Sequence, residues 1–351
     1  MTPRLKTYTY LSRKLQGFSD DQVYALLLTA VSTHTGIGGA ASAINVGRDK
    51  IFAKTIPLTD PERRHENIGS TANIFELPLF YQYRLGSTGF GAWRELKAHQ
   101  ITTEWVLADK CSSFPLLYNW RVIHRPNAEA DDADKAKQLD EDAQYWDNNP
   151  RIRERLTAIN SASAELVLFL EYFPSTLSVW LESQLKCGGE TADKAVLAVD
   201  DELRKICTTM EKHSFSHFDT HFNNTMCDGS LYLGDFGLAL SSDFDLADSE
   251  IEFLKNHRSY DRSVCILSLV QCLIRSAFGP DNWKSNLRQF VVNAKTRKQI
   301  SSGLITATIE KYAPIALAMS DFYDDLDKVS KEISYPAAKF ERLLSELNCE
   351  F

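Results

Sequence analysis

Several features that define other protein classes are missing from the sequence. It contains no run of about 18 to 20 uncharged apolar residues, which a membrane-spanning helix requires. The N-terminal stretch MTPRLKTYTYLSRKLQ carries basic residues but no apolar core, so it lacks the pattern of a secretory signal. The 7 cysteines are odd in number and include no CxxC pair. We therefore expect neither a disulfide framework nor a zinc cluster, and a cytoplasmic location fits best.

Glycine and proline are also scarce, with 16 and 11 residues among 351, which excludes collagen-like and low-complexity chains. Hydrophobic residues make up 44% of the chain, too many for a mainly disordered protein. The formal net charge is -8, so the chain is a poor general binder of nucleic acids or anionic membranes. The length allows about two domains.

The pattern of side chains changes along the chain from strand-like to helical. SAINV and KIFAKTI flank a turn at Gly47-Arg48-Asp49 and predict a β-hairpin. A helix is predicted from near Gly91 through WRELKAHQITTEWVLA, followed by strand-like LLYNWRVIH and AELVLFLEYF. From Pro174 the pattern is helical, except for a polar break that ends at DFGLAL. This order predicts an α+β fold.

Two polar motifs lie in that break. The first is His217-Phe218-Asp219 with Asn224 shortly after it, and the second is Asp235-Phe236-Gly237. Between them, TMCDGSLYLGDFG predicts a short hairpin with Asp228-Gly229 as its turn. A carboxylate beside an acceptor hydroxyl can orient it and take its proton, and amide and carboxylate oxygens suit Mg²⁺.

This combination resembles the protein-kinase-like superfamily, whose catalytic loop reads H-x-D-x-x-x-x-N and whose metal loop reads D-F-G. The resemblance implies a bilobal fold, with a small antiparallel β-sheet in the N-lobe and a mostly helical C-lobe. It implies ATP and Mg²⁺ as cofactors. By the same resemblance Asp219 is the catalytic base, His217 supports the catalytic loop, and Asn224 and Asp235 hold the metal.

The resemblance also requires a lysine on a strand after a glycine-rich loop. The segment Ile51–Lys54 supplies Ala53 above the adenine and Lys54 at the phosphates. Backbone groups of the preceding loop would cover the nucleotide through Gly36, Ile37, Gly38 and Gly39. This loop has alanine where GxGxxG has its third glycine. The cluster Gly86–Gly91 competes with it, but no strand with an Ala-Lys pair follows.

Lys54 needs a carboxylate partner, for which three glutamates are available. Glu66 and Glu76 lie in the irregular segment after Pro61, whereas Glu95 lies in the first turns of the predicted helix. The kinase order is strand, helix, strand, so Glu95 is the predicted partner. This choice makes residues 57–90 an insertion.

The interlobe hinge is predicted at Leu170-Glu171-Tyr172-Phe173, between a buried strand and a helix. Leu170 would be the gatekeeper, and backbone groups of Glu171 and Phe173 would pair with the adenine edge. Further along, Asp261 begins a long helix and would support the backbone of the catalytic loop.

The resemblance thus divides the chain into a helical lead-in (1–30), a nucleotide-binding N-lobe (31–173) and a helical C-lobe (174–351). The N-lobe carries two inserts, an aromatic one at 57–90 and an acidic one at 127–157.

Departures from the kinase pattern leave several functions open. Phe218 replaces the arginine of His-Arg-Asp, which predicts activity without loop phosphorylation although Ser241 and Ser242 follow DFGLAL. His221 stands where Ser/Thr kinases have lysine, as in aminoglycoside and choline phosphotransferases. The favoured function is an atypical bacterial-type Ser/Thr protein kinase that moves the γ-phosphoryl of ATP to a hydroxyl. The alternatives are a small-molecule kinase, a pseudokinase scaffold and an AMP-transferring enzyme, with a protein or small-molecule hydroxyl as acceptor.

Overall fold

The computed structural model of the chain describes residues 2–36, 39–124 and 133–348. The described residues form ten strands: β1 (Val31–Gly36), β2 (Gly39–Val46), β3 (Asp49–Leu58), β4 (Leu117–His124), β5 (Ala164–Glu171), β6 (Ser175–Thr176), β7 (Phe215–Ser216), β8 (Thr225–Cys227), β9 (Leu231–Leu233) and β10 (Leu240–Ser241).

Helices make up most of the rest of the described chain. They are α1 (Pro3–Gln16), α2 (Asp20–Leu28), α3 (Asp60–Arg63), α4 (Ala92–Leu107), α5 (Ala133–Tyr145), α6 (Pro150–Asn160), α7 (Leu177–Cys187), α8 (Gly189–Lys212), α9 (Asp248–Asn256), α10 (Tyr260–Phe278), α11 (Trp283–Val292), α12 (Ala294–Arg297), α13 (Gly303–Lys328) and α14 (Ala337–Asn348).

The chain divides into two compact units. Unit 1 comprises Met1–Tyr172 and Asp235–Ile251, and unit 2 comprises Phe173–Gly234 and Glu252–Phe351. The short segment that begins at Asp235 therefore belongs with the N-terminal part of the chain.

The main feature of unit 1 is a five-stranded antiparallel sheet in the order β1-β2-β3-β5-β4. The predicted hairpin is confirmed, because Val46 pairs with Asp49 across the turn between β2 and β3. The predicted helix is confirmed as α4. One apolar core joins α4 to β3, β4 and β5 through Ile56, Leu58, Ala92, Trp93, Leu96, Leu117, Ala164, Leu166, Leu168 and Leu170.

The two inserts of unit 1 share a second apolar core. Tyr81 from the aromatic insert meets Trp146 from the acidic insert edge to face, with 4.7 Å between ring centroids. Most of the described part of the acidic insert is helical, in α5 and α6. Apart from the buried Arg155, most of its described charged residues are exposed. Its apolar residues pack on the aromatic insert in a core formed by Phe75, Leu77, Tyr81, Phe90, Ala143, Trp146, Ile152 and Leu156.

Unit 2 is mainly helical. Its central helix, α10, is buried along most of its length and packs against α7, α8, α11 and α13. A small antiparallel sheet in the order β6-β8-β9 lies beside these helices. The predicted hairpin from TMCDGSLYLG is confirmed, because β8 and β9 pair around Asp228 and Gly229.

The fold is therefore a mixed α+β structure with a small antiparallel sheet, as the order of sequence patterns predicts. No single helix in the described ranges has both the length and the apolar character to cross a bilayer. The helices Tyr260–Phe278 and Trp283–Val292 pass that test only as a pair, bent by 86°.

Candidate active site

Unit 1 brings three of the predicted site residues into contact. The Lys54 ammonium lies 2.6 Å from Glu95 Oε1 and 2.6 Å from Asp235 Oδ1. The side chain of Lys54 is 11% exposed and that of Glu95 is 5% exposed, whereas that of Asp235 is 47% exposed. The cluster is therefore a buried ion pair with a second carboxylate that solvent or a ligand can reach.

The charges of this cluster depend on one another. Burial opposes the positive charge of Lys54, but the carboxylates of Asp235 and Glu95 outweigh that effect and raise the pKa of Lys54. Burial also raises the pKa of Glu95, while Lys54 lowers it. Lys54 consequently carries a fixed positive charge, which is what a group that neutralises phosphate needs.

The position of Glu95 follows from its place in α4. It lies in the first turn of that helix, beside strand β3, which carries Lys54. The competing glutamates do not reach Lys54: Glu66 is exposed in a 3₁₀ turn, and Glu76 pairs with Arg151. Of the three candidates, the structure brings Glu95 to the lysine.

The glycine-rich loop is described only in part, because Ile37 and Gly38 lie outside the described residues. Gly36 and Gly39 pair across the end of the β1–β2 hairpin. Gly39 has φ +143°, and a Cβ built there would lie 2.1 Å from the carbonyl oxygen of Thr55. Close approach to β3 alone thus explains why glycine occupies position 39. Ala53 is buried opposite Phe169 of β5.

The predicted hinge residues lie in and just after β5. Leu170 is buried in the sheet core. The backbone N–H of Glu171 donates to the carbonyl oxygen of Leu116 at 2.9 Å, so that donor is already engaged within unit 1. The carboxylate of Glu171 accepts three hydrogen bonds from Arg4 of α1, at 2.7–3.1 Å. Phe173 belongs to unit 2, where its ring stacks on Tyr232 with centroids 3.9 Å apart.

The predicted catalytic loop lies in unit 2 and is held by Asp261 of α10. The backbone N–H groups of His217 and Phe218 donate to the two oxygens of Asp261, at 2.7 and 2.9 Å. Burial raises the pKa of Asp261 to about 7, although these two donors lower it. His217 is fully buried, and its Nε2 lies 2.8 Å from the Gly234 carbonyl oxygen. This bond links the start of the loop to the end of the β8–β9 hairpin.

Asp219 and Asn224 are in direct contact. The amide nitrogen of Asn224 donates to Asp219 Oδ2 at 2.9 Å and to the Asp219 carbonyl oxygen at 3.0 Å. His221 Nε2 lies 3.4 Å from the other carboxylate oxygen of Asp219. Asn224 donates both of these hydrogen bonds from its side-chain nitrogen. Neither bond uses its amide oxygen, which is the atom that could bind a metal ion.

Phe218, the residue in place of the kinase arginine, has an apolar role in unit 2. Its side chain is fully buried and packs on Phe253, His257 and Tyr260, with centroid distances of 5.0–5.5 Å. An arginine here would place a charge among these rings, at a large desolvation cost.

Each unit contains one residue of a type that can bind Mg²⁺, Asp235 in unit 1 and Asn224 in unit 2. Mg²⁺ is commonly held by one or two carboxylates together with phosphate oxygens and water. Asp235 offers an accessible carboxylate, and Asn224 offers an amide oxygen. Across the part of the chain that the structure describes, no group of three or more His, Cys, Asp or Glu is arranged to hold a metal on its own.

Sequence reasoning missed two buried ion pairs at the start of α4. Arg94 pairs with Glu250 at 2.7 Å, and Arg155 pairs with Glu62 at 2.8 Å. The partners are 156 and 93 residues apart in sequence, so no local pattern could have indicated them.

Comparisons with known proteins add no assignment. No protein-family model matches the chain, and no curated protein sequence matches it.

Proposed function

We propose that the chain is an ATP-dependent phosphotransferase that moves the γ-phosphoryl to a hydroxyl group, acting as an atypical Ser/Thr protein kinase. The observation that carries the proposal is the Lys54–Glu95–Asp235 cluster, in which a buried lysine is paired with a buried glutamate beside an accessible aspartate. A lysine held in this way suits binding of the α- and β-phosphates, and the aspartate suits binding of Mg²⁺. The bilobal arrangement of the N-lobe and C-lobe is part of the proposal.

The catalytic loop supports the same reaction. Asp219 would accept a hydrogen bond from the acceptor hydroxyl, orient its oxygen and take its proton as the new O–P bond forms. The bond between the γ-phosphorus and the bridging oxygen breaks at the same time, and ADP leaves. Asn224 orients Asp219 through its amide nitrogen.

Most of the rate would come from position and charge. Lys54 would neutralise the phosphates, while Asn224 and Asp235 would hold Mg²⁺. Held by these two residues, Mg²⁺ would supply positive charge that offsets the negative charge of the phosphates. Glu95 keeps the ammonium of Lys54 in place.

A small-molecule kinase is the second candidate, because His221 lies beside Asp219. In this candidate a histidine, rather than the lysine of Ser/Thr kinases, would stand next to the acceptor. The two candidates share ATP, Mg²⁺ and Asp219, and they differ only in the acceptor.

The test is incubation of the full chain with Mg²⁺ and ATP labelled at the γ-phosphate or, separately, at the α-phosphate. Acceptors are a cell lysate and its small-molecule fraction. We expect transfer of the γ label, and Asp219→Asn should reduce turnover by on the order of 100-fold or more while nucleotide binding is retained. Asp235→Asn should abolish transfer. Glu66→Gln is the matched control, since Glu66 is an exposed carboxylate in a 3₁₀ turn.

Each outcome separates the candidates. Label in protein bands supports the protein kinase, and label only in small molecules supports the second candidate. Transfer of the α label would indicate AMP transfer instead. Nucleotide binding with no transfer would indicate a pseudokinase, and unchanged turnover in Asp235→Asn would refute the assigned site.

A further inference from the structure

The segment that follows Asp235 is attached along its length to residues that precede or begin α4. This segment, Phe236–Glu250, is called the post-Asp235 segment below. The residues that hold it are called the clamp, and they are Thr71, Gln82, Gly89 and Arg94. Three of the four belong to the aromatic insert, and all of these contacts lie inside unit 1.

Two clamp residues act close to Asp235. Gly89 has φ +73°, and a Cβ built there would lie 2.1 Å from the carbonyl oxygen of Gly237, so only glycine permits this approach. The buried amide of Gln82 donates to the carbonyl oxygen of Leu238. These contacts hold the carbonyl groups of Gly237 and Leu238, two and three residues after Asp235.

The other two clamp residues act at the far end of the segment. Arg94 and Glu250 form an ion pair at 2.7 Å in which each side chain is 3% exposed. Arg94 also donates to the carbonyl oxygen of Thr71 at 2.6 Å. Thr71 in turn exchanges hydrogen bonds with Asp245: its N–H and hydroxyl reach the carboxylate, and the Asp245 N–H donates to the hydroxyl at 2.8 Å.

One of the two serines in the middle of the segment is closed to modification, whereas its neighbour Ser242 is exposed. The hydroxyl of Ser241 belongs to a buried residue and accepts the N–H of Asp243 at 3.2 Å. A kinase could reach that hydroxyl only after the segment opened. A buried ion pair and a buried amide make opening costly, because each would leave an unpaired polar group.

We propose that the clamp holds the post-Asp235 segment in one conformation, and thereby keeps Asp235 and Glu95 on Lys54 without covalent modification of the segment. Arg94 precedes Glu95 in α4, and Glu250 is the last residue of the segment that follows Asp235. The Arg94–Glu250 pair therefore connects the helix that carries Glu95 to the end of that segment. Thr71, Gln82, Gly89 and Arg94 are positioning residues. The role of the clamp in catalysis rests on the proposed function, whereas its role in holding the post-Asp235 segment does not.

The first experiment is amide hydrogen exchange on the full-length chain, with intact mass confirming that no phosphate is attached. We expect slow exchange in the post-Asp235 segment of the unmodified protein. Glu250→Gln should accelerate exchange there by about 10-fold or more, since it leaves Arg94 buried without its partner. Arg153→Gln is the matched control, because it breaks an exposed ion pair with Asp140 in the same unit and should leave the segment unchanged.

A second variant keeps the test valid if Glu250→Gln fails to fold. Gln82→Met removes one buried hydrogen bond at similar side-chain volume, introduces no unpaired charge, and should accelerate exchange nearest Leu238. The proposal is overturned if the segment of the unmodified wild type exchanges as fast as an unstructured peptide. It is also overturned if the folded variants exchange like the wild type.

A second readout reports on Lys54 itself and needs no catalysis. The rate at which a small amine-acylating reagent modifies Lys54, measured by peptide mass spectrometry, should rise several-fold in Glu250→Gln and Gln82→Met. The reason is that the Lys54 side chain is only 11% exposed in the cluster, and local opening of the segment would expose its ammonium to the reagent. Unchanged Lys54 labelling in both variants would contradict the link between clamp and cluster. If the variants show these effects but the wild type binds no nucleotide, the proposed function fails while the clamp stands.

Discussion

Two residues of the candidate site hold backbone angles that side chains other than glycine rarely adopt. Asp235 has φ +62° and Phe218 has φ +63°. Such a conformation costs on the order of 1 kcal/mol or more, so neighbouring contacts must maintain it. For Phe218 the contact is its N–H bond to Asp261, and for Asp235 it is the ion pair with Lys54. Each of the two polar motifs predicted to form the active site thus contains one residue with a strained backbone.

His257 allows a prediction about acid stability. Its ring stacks on Phe253 with centroids 3.8 Å apart, and burial lowers its pKa to about 4. The unfolded chain therefore binds a proton near pH 6.5 that the folded chain takes up only near pH 4. Stability is complete above about pH 6.5 and falls as the pH drops towards 4.

The measurement is urea unfolding at pH 7 and at pH 4 for the wild type and His257→Phe. Between these values the wild type should lose about 3 kcal/mol more than the variant. Asp261, whose pKa is raised to about 7, titrates in an overlapping range but is present in both proteins. Equal losses in the two proteins would show that His257 is not buried in its neutral form.

At the scale of elements, the first turn of α4 depends on a residue from outside the helix. Gly91 occupies the N-cap position and offers no side chain, so the N–H of Ala92 donates to Glu62 at 2.7 Å instead. A carboxylate at a helix N-terminus also interacts favourably with the helix dipole. Arg155 of α6 neutralises Glu62 in turn. Both inserts thus contribute to the helix that carries Glu95.

Removing the charge of Glu62 should destabilise the fold strongly. Glu62→Gln leaves Arg155 buried without its partner, and we expect the free energy of unfolding to fall by about 3 kcal/mol. Glu66→Gln, an exposed change four residues away, should stay within about 0.5 kcal/mol.

Chemical denaturation of a double variant gives the sharper form of this experiment. Adding Arg155→Met to Glu62→Gln should recover part of the loss, because no unpaired charge then remains inside. A double variant less stable than Glu62→Gln by the full cost of Arg155→Met alone would mean that the two residues do not interact.

The elements around the motifs could be predicted from the sequence because their signals are local. Alternation and a turn at Gly47-Arg48 indicate the β2–β3 hairpin, and Asp228-Gly229 indicates the β8–β9 hairpin. The helix that carries Glu95 follows from its periodic apolar face. The kinase order then selects Glu95 among three glutamates, and the structure places it on Lys54.

The contacts that hold these elements could not be predicted, because their partners are distant in sequence. Arg155 lies in a segment whose composition indicates a solvated surface, yet it is among the largest fully buried side chains. The left-handed backbone of Phe218 and Asp235 has no local signal such as glycine. The aromatic insert looks irregular by pattern, and its order comes from tertiary contacts with α5, α6 and the post-Asp235 segment.

For the whole molecule, neither compact unit is one continuous stretch of chain. The chain leaves unit 1 after Tyr172, returns to it at Asp235 and leaves it again after Ile251. A fragment that ends at Tyr172 would therefore lack Asp235 and Glu250, and with them both the accessible carboxylate of the cluster and the partner of Arg94. Experiments on nucleotide binding require the full chain for this reason.

Nucleotide binding should stabilise the full chain. At a MgATP concentration 100 times its Kd, we expect the free energy of unfolding to rise by about 2.7 kcal/mol, measured as a shift in Tm. Lys54→Met should remove this effect, because the phosphates lose their positive partner. Glu66→Gln should keep it. The same Tm shift in wild type and Lys54→Met would place the nucleotide elsewhere or exclude a role for Lys54 in holding it.

The distribution of indole rings between the units makes them optically distinguishable. The tryptophans that are almost fully buried are Trp93, Trp105 and Trp146, and all three belong to unit 1. Trp180 and Trp283 of unit 2 are partly exposed. The blue-shifted part of the fluorescence emission therefore arises from unit 1, whereas far-ultraviolet circular dichroism reports on the helices of both units. A denaturation series in which the two signals change at different urea concentrations would show that unit 1 unfolds separately from the rest of the chain.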